Sequence, residues 1–421
     1  MDKGNTQARL RLLVISNLYP PFYLGGYELG CHDVVERLRE RGHSVAVLTS
    51  TYGASGERRD GHIYRHLPFR CVPDRRSRLG LLRSEWKQHA ALHRALRACR
   101  PDVVYVFSLY GVSHGLMLAA QRTGRPVVYA FSGEWLEPAY GGDPWLQLWA
   151  HAATRGIQGR VKRVIGRVLD RVTPVGLEPL DLRGAYFTSA ALRDCFVAKG
   201  FPVQEAPVIH WGVDVTRFKP APPAASGASI RVLFAGRIAL EKGLHTVVEA
   251  LGLLRERGDA TVTLDVAGPA QDAGYLATLR ERIAALGISN RVGFLGVLSR
   301  EDMPRVYRSH DALVLPSIWD EPFSIGLLEA MASGLAVVGT TTGGSQEILV
   351  DGMNALTFPP GDAEALATQL GRLTSTDLRQ RLGRTARRTV EERFTLAAML
   401  ERIEAFLRSA ASGRTAGRSR G

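Results

Sequence analysis

Residues 312–347 run as strand, loop, helix, strand and loop without a break, and that order leaves few folds open. Ala312–Leu315 is a short apolar run that Pro316 ends, since proline brings no N–H to a ladder. The pattern predicts a helix from about Ser324 to Ser333, with Gly334 as its C-terminal stop. Leu335–Val338 reads as the next buried strand, and Thr340–Ser345 as a loop able to adopt positive φ at Gly343 and Gly344. A strand that feeds a helix and returns to a strand is the βαβ unit of an α/β chain with a parallel sheet. In such sheets ligands bind in loops at the carboxyl ends of the strands. The first-turn amides of Ser324, Ile325 and Gly326 would there face an anion or sugar hydroxyls.

Two carboxylates frame this helix. Glu321 and Glu329 are eight residues apart, a little over two turns, so they project in similar directions if both are helical. One reading makes Glu321 a partner of the helix dipole and Glu329 a solvated residue. The other makes them ligand groups, because Leu327, Leu328, Ala330, Met331 and Ala332 leave Glu329 little polar surface and a buried carboxylate needs a partner. A second charged turn follows the strand Arg231–Ala235. There Gly236, Arg237, Lys242 and Gly243 precede a helix over 244–257, and an Arg and a Lys at such a turn are placed to hold a diphosphate.

The remaining chain repeats the alternation. Leu10–Ser16, Ser44–Thr49, Asp102–Phe107, Arg125–Phe131 and Gly184–Ser189 read as strands, with helices at 27–41 and 190–199. Gly25 and Gly26 follow the first strand, but without the G-x-G-x-x-G that a nicotinamide or flavin fold would show. Further strands (261–268, 291–296) and helices (301–309, 362–371, 376–393, 395–408) complete the second half, and Pro220–Gly227 is a linker by composition. Cys31, Cys71, Cys99 and Cys195 have no zinc-type spacing, so neither a metal site nor a disulfide framework is expected. The N-terminus has no apolar leader and no run is long enough to span a bilayer, which predicts a cytoplasmic protein. Residues 1–215 carry 29 Lys and Arg against 19 Asp and Glu, while 216–421 carry 25 against 22. That basic first half comes without any nucleic-acid motif, so nucleic acid is not an expected partner. From Ile157 apolar residues recur at helical spacing beside Arg160, Lys162, Arg163, Arg167 and Arg171. This segment is either a helix packed on the first sheet or one lying on an anionic membrane surface at the inner face of the membrane.

The run Glu321-Pro-Phe-Ser-Ile-Gly-Leu-Leu-Glu329-Ala-Met-Ala-Ser-Gly resembles the Glu-x7-Glu signature of the group 1 (family 4) retaining glycosyltransferases of GT-B fold. Ser324 stands where Gly is usual, and Ala336 where Pro is. Gly236-Arg237-Ile-Ala-Leu-Glu-Lys242-Gly243 resembles the family's G-R-x-x-x-x-K-G, and Gly25-Gly26 its N-terminal glycine loop. The resemblance implies two Rossmann-like doubly wound domains facing each other across a cleft. They would span 1–220 on the acceptor side and 228–392 on the donor side, with a helix over 393–408 crossing back and a disordered tail over 409–421. It implies Arg237 and Lys242 on the departing diphosphate, Glu321 on donor-sugar hydroxyls and Glu329 on the ribose. Gly25, Gly26, Gly236, Val297, Phe323, Ser324, Ile325 and Gly326 would complete the donor site. The family's usual His in the first domain is missing, since Ala130 and Ser132 occupy that turn; Ser132, Glu134 and His114 are the residues that could compensate. The implied substrates are a nucleotide diphosphate sugar and a glycan, lipid-linked or small-molecule acceptor. No D-x-D occurs, so no metal or other cofactor is expected. A GT-B nucleotide-sugar epimerase and a non-catalytic nucleotide-sugar-binding protein are the alternatives.

Overall fold

Runs such as Leu12–Ile15 and Val103–Val106 are apolar without alternation, the pattern of strands covered on both faces. The computed structural model describes residues 8–70, 77–138, 141–150, 165–166, 169–170, 173, 179–221 and 229–413. It contains two compact units, Met1–Ile209 with Leu400–Gly421, and His210–Met399.

In the first unit β1 (Arg11–Ile15), β2 (Ser44–Ser50), β3 (Arg58–Asp60), β4 (Ile63–Leu67), β5 (Val103–Val106), β6 (Val127–Phe131) and β7 (Ala185–Phe187) form one sheet. Its order is β3-β4-β2-β1-β5-β6-β7, and all neighbours are parallel except β3 and β4. The helices α1 (Gly26–Glu40), α2 (Arg78–Cys99), α3 (Gly115–Gln121), α4 (Pro144–Ala150) and α5 (Ala190–Ala198) belong to this unit. Ser77 and Ser189 cap α2 and α5 by accepting the Gly80 and Leu192 amides at 3.2 and 3.1 Å.

The second unit holds β8 (Ile230–Ala235), α6 (Leu244–Glu256), β9 (Val262–Ala267), α7 (Ala273–Ala285), β10 (Val292–Gly296), α8 (Met303–Arg308) and β11 (Ala312–Leu315). It continues with α9 (Ile325–Ala332), β12 (Ala336–Gly339), β13 (Leu356–Thr357), α10 (Ala363–Arg372) and α11 (Thr376–Arg393). The sheet order is β10-β9-β8-β11-β12-β13, with every pair parallel. Val232, Phe234, Val266, Val314 and Val338 build its core with Val247, Leu251 and Leu366 from the helices. Because the chain runs outward from β8 in one direction and from β11 in the other, the order reverses between them. The loops after β8 and β11 therefore open side by side.

The last helix, α12 (Leu396–Ala411), belongs to the first unit from Leu400 onward. Glu404 pairs there with Arg41 at 2.9 Å and His43 at 3.1 Å, and Phe406 meets Tyr186 edge-on at 5.6 Å. Burial pushes the Glu404 carboxyl up, but Arg408, Arg41 and His43 outweigh it and bring the pKa down to about 2.

Several expectations need correction. Only Gly343 of the glycine pair has positive φ, and 343–347 closes as a 3-10 turn instead of an open loop. The helix at the chain end continues to Ala411, so the expected disordered tail starts too early. The hairpin β3–β4 was not expected, since its first strand is Arg-Arg-Asp and carries no apolar pattern. The amphipathic segment from Ile157 lies for the most part outside the described residues, and so do 222–227 of the linker and 414–421 of the tail.

Candidate functional site

The site is built where β8 and β11 end. Gly243 has φ 70, and a Cβ there would collide with the Pro316 carbonyl oxygen. That close approach sets the turn after β8 against the loop after β11, and the Ile318 amide donates to the Glu241 carbonyl at 3.0 Å. Gly343 has φ 52 and abuts the Asp320–Glu321 peptide, where the Gly344 amide donates to the Glu321 carbonyl at 2.7 Å. Asp320 Oδ1 accepts the Gly343 amide at 3.1 Å. Three loops from three adjacent parallel strands are thus locked by backbone contacts that no larger residue permits.

On this frame Lys242 and Glu321 form a direct ion pair, and both are mostly buried. Ser317 Oγ donates to Glu321 at 3.2 Å, and the Lys242 ammonium lies 5.6 Å from the centre of the Trp319 ring. An ammonium has three N–H donors, so holding Glu321 does not exhaust Lys242. Arg237 bonds Gln271 and lies 3.5 Å from Glu241. The expected cations therefore stand at the sheet's order reversal, on a preset scaffold.

Glu329 is held from a separate element, α8. The Tyr307 hydroxyl, buried in α8, lies 3.1 Å from Glu329 Oε2 and 3.3 Å from the Gly326 carbonyl oxygen. Burial, then the Glu329 charge, holds the Tyr307 phenol well above its ordinary pKa, so it stays a proton donor. Ser324, in the position where Gly is usual, caps α9 by accepting the Leu327 amide at 3.2 Å. The amides of Ile325 and Gly326 open the helix beside it. The Phe323 ring lies in the interior, stacked on His210 at 5.3 Å, which leaves its backbone to face a donor. The Gly236 amide donates to the Ala267 carbonyl at 2.9 Å. Val297 sits exposed just after β10.

The first-unit residues are wired differently. Gly25 caps α1, and its amide donates to Glu28 Oε2 at 3.0 Å; Gly26 is the exposed first residue of that helix. Glu134 pairs with Lys199 at 2.8 Å and accepts from Cys195 Sγ at 3.3 Å. Burial raises the Glu134 carboxyl and those donors outweigh it, leaving its pKa below the ordinary value. His114 is buried with its ring 5.8 Å from Trp135, its amide bonded to Asp143 Oδ2 at 2.7 Å, and burial lowers its pKa, which keeps it neutral. Ser132 follows β6 near the Tyr27 phenol, which donates to the Ala130 carbonyl at 2.8 Å. Behind these loops Arg70 pairs with Glu85, and Ser113 Oγ donates to Glu85 Oε2 at 2.6 Å. Tyr307, Trp319 and Gln271 were not foreseen. Their contacts span 22, 77 and 34 residues of sequence, and each alone reads as an ordinary core or surface side chain.

Residues 216–389 match the family model described as glycosyl transferases group 1, and residues 25–166 match a glycosyl transferase 4-like domain. The chain is 27% identical over 407 residues to a glycogen synthase of Mycobacterium tuberculosis, covering 91% of both chains. It is 32% identical over 165 residues to an uncharacterized glycosyltransferase of Methanocaldococcus jannaschii, spanning 39% of this chain and 41% of that protein. In structure it resembles the Anabaena protein HepE, solved with UDP and glucose, at a TM-score of 0.67 and 20% identity, covering 95% of this chain and 100% of the other.

Proposed function

The chain belongs to the group 1 glycosyl transferases and has the GT-B fold, and on that premise we propose that it moves a sugar from a nucleotide diphosphate donor to an acceptor hydroxyl. The observation that carries the reading is the Lys242–Glu321 ion pair at the reversal between β8 and β11, with Arg237 in the same turn after β8 as Lys242. When the bond from the anomeric carbon to the diphosphate oxygen breaks, its electron pair stays with the phosphate. Arg237 and Lys242 stabilise that growing charge without rearranging, joined by the opening amides of α9. The acceptor oxygen bonds to the anomeric carbon, and its proton passes to the departing diphosphate oxygen. Glu321 accepts from donor-sugar hydroxyls, and Glu329 from the ribose diol, held in place by Tyr307. Retention of anomeric configuration follows from the family resemblance. The first unit recognises the acceptor, a glycan, lipid-linked or small-molecule hydroxyl. No metal enters this scheme, since two fixed cations face the diphosphate.

HepE in its complex with UDP and glucose supports a uridine donor as the first to try, and the glycogen synthase supports a growing glucan among the acceptors to test. The experiment is an assay of free nucleoside diphosphate over a panel of nucleotide sugars and acceptors, with the product's anomeric proton read by NMR. Acceptor-dependent release with a retained anomeric centre supports the reading. Isomerised donor with no transfer would make the protein an epimerase instead.

A further inference from the structure

The described surface carries one helix face that the transferase reading leaves unused. α2 turns Leu81, Glu85, Gln88, His89, Leu92 and Leu96 inward. Its outer face, about 33 Å long at 1.5 Å per residue, carries Arg78, Leu79, Arg83, Trp86, Lys87, Arg94 and Arg97, all exposed. The helix's single carboxylate, Glu85, lies on the buried side, so this face is basic throughout. Arg94 reaches Glu57 at 3.5 Å; Arg78, Arg83, Lys87 and Arg97 make no ion pair among the described residues.

Two large apolar side chains stand among those cations. Leu79 is 78% exposed and Trp86 57% exposed. Leu79, Leu82 and Trp86 follow one another at helical spacing of three and four, and with Arg83, Leu169 and Thr173 they line an apolar hollow of about 390 Å³. Exposed tryptophan and leucine gain nothing in water, whereas an aromatic ring flanked by cations suits a headgroup boundary, apolar below and charged above. Nucleic acid would satisfy the cations but offers no apolar phase for Leu79. Among the described residues no helix is long and apolar enough to cross a membrane, so such contact would be peripheral.

We propose that the outer face of α2 is a docking surface for anionic lipid bilayers, with Leu79 and Trp86 entering the headgroup boundary and Arg78, Arg83, Lys87 and Arg97 facing lipid phosphates. The surface lies wholly within the first unit and does not depend on the transferase reading. Each basic residue near an anionic surface contributes roughly fivefold in partition.

The test is sedimentation of the full chain with vesicles of phosphatidylglycerol and phosphatidylcholine, or phosphatidylcholine alone, at low and physiological salt. Wild type should pellet with the anionic vesicles only. Arg78→Gln, Arg83→Gln, Lys87→Gln and Arg97→Gln together should lower partition at least tenfold. Leu79→Ser with Trp86→Ser, which changes no charge, should lose binding at physiological salt. The charge-matched control Arg280→Gln, Arg384→Gln, Arg388→Gln and Arg402→Gln should keep most of it. Unchanged melting temperatures check that all three variants fold. Failure of wild type to pellet overturns the proposal, and so does an equal loss in the control, which would reduce binding to the formal net charge of +13. Wild-type binding that survives the Leu79 and Trp86 changes at physiological salt also overturns it.

Discussion

The two units share a doubly wound sheet yet spend their polar residues in opposite ways. In the second unit, Arg237, Lys242 and Glu321 stand at the strand ends, partly open to solvent and paired across loops. In the first, Arg70, Glu85 and Asp143 are buried behind the strand ends beside His89 and His114; Arg70 faces both carboxylates, which also accept from Ser113 Oγ and the His114 amide. A polar group left at a lip can exchange its partner for a ligand. A group sunk in the core cannot do so without a large desolvation penalty. The comparison teaches that one topology can carry a chemical site in one copy and a structural brace in the other.

The sharpest way to break that contrast is to remove a brace. Glu85→Gln removes the nearer of the two carboxylates that face the buried Arg70 guanidinium, which should cost roughly 3–5 kcal/mol. Thermal unfolding should show a melting temperature lower by about 10 °C, while nucleotide binding by the folded fraction stays normal. A wild-type melting curve would mean the cluster braces nothing.

Next come the second-unit cations. Lys242→Ala and Arg237→Ala should each lower turnover by roughly 10²–10³, with far smaller effects on melting than Glu85→Gln. Near-normal rates in both variants would remove the leaving-group assignment.

Smaller still is the effect expected at Tyr307, which bonds the carboxylate proposed for the ribose. Tyr307→Phe deletes one hydroxyl bonded to Glu329 and to Gly326. It should weaken nucleoside diphosphate binding by roughly tenfold, about the worth of a hydrogen bond to a charged group. Glu329→Gln should do the same, and both should narrow the preference for ribose over 2′-deoxyribose. If Glu329→Gln binds like wild type, the ribose role is wrong; if only Tyr307→Phe does, the tyrosine is merely packing.

The mildest expectation concerns α12. The folded Glu404 pKa of about 2 lies below its ordinary 4.5. Its contribution to stability is therefore complete above pH 4.5 and is lost as pH falls toward 2. Melting temperatures measured from pH 6 to 3 should fall less steeply in Glu404→Gln than in wild type.

The same contrast explains what the sequence made legible. The second unit's site is nearly local: one turn holds Arg237 and Lys242, and one loop–helix holds Glu321 to Glu329. β11 and β12 beside it are unbroken apolar runs, so the parallel α/β alternation could be read from the pattern, whereas the antiparallel β3–β4 hairpin could not. Non-local partners left no such trace. Nothing in the sequence joins Arg70 to Glu85 and Asp143, or Tyr307 to Glu329, because those contacts exist only once the sheets have formed. The interior position of the Phe323 ring was illegible for the same reason, since it depends on His210 and Phe394, which come from distant segments.

The central claim is that the lip between β8 and β11 holds a nucleoside diphosphate through Arg237 and Lys242. Calorimetric titration of UDP, GDP and ADP into wild type and into the Arg237→Ala, Lys242→Ala double variant tests it most directly. At least one diphosphate should bind wild type, raising stability by about 2.7 kcal/mol at 100 times its Kd, and should bind the double variant at least a hundredfold more weakly. Equal affinity in the two proteins, or no binding of any diphosphate to wild type, would contradict the claim.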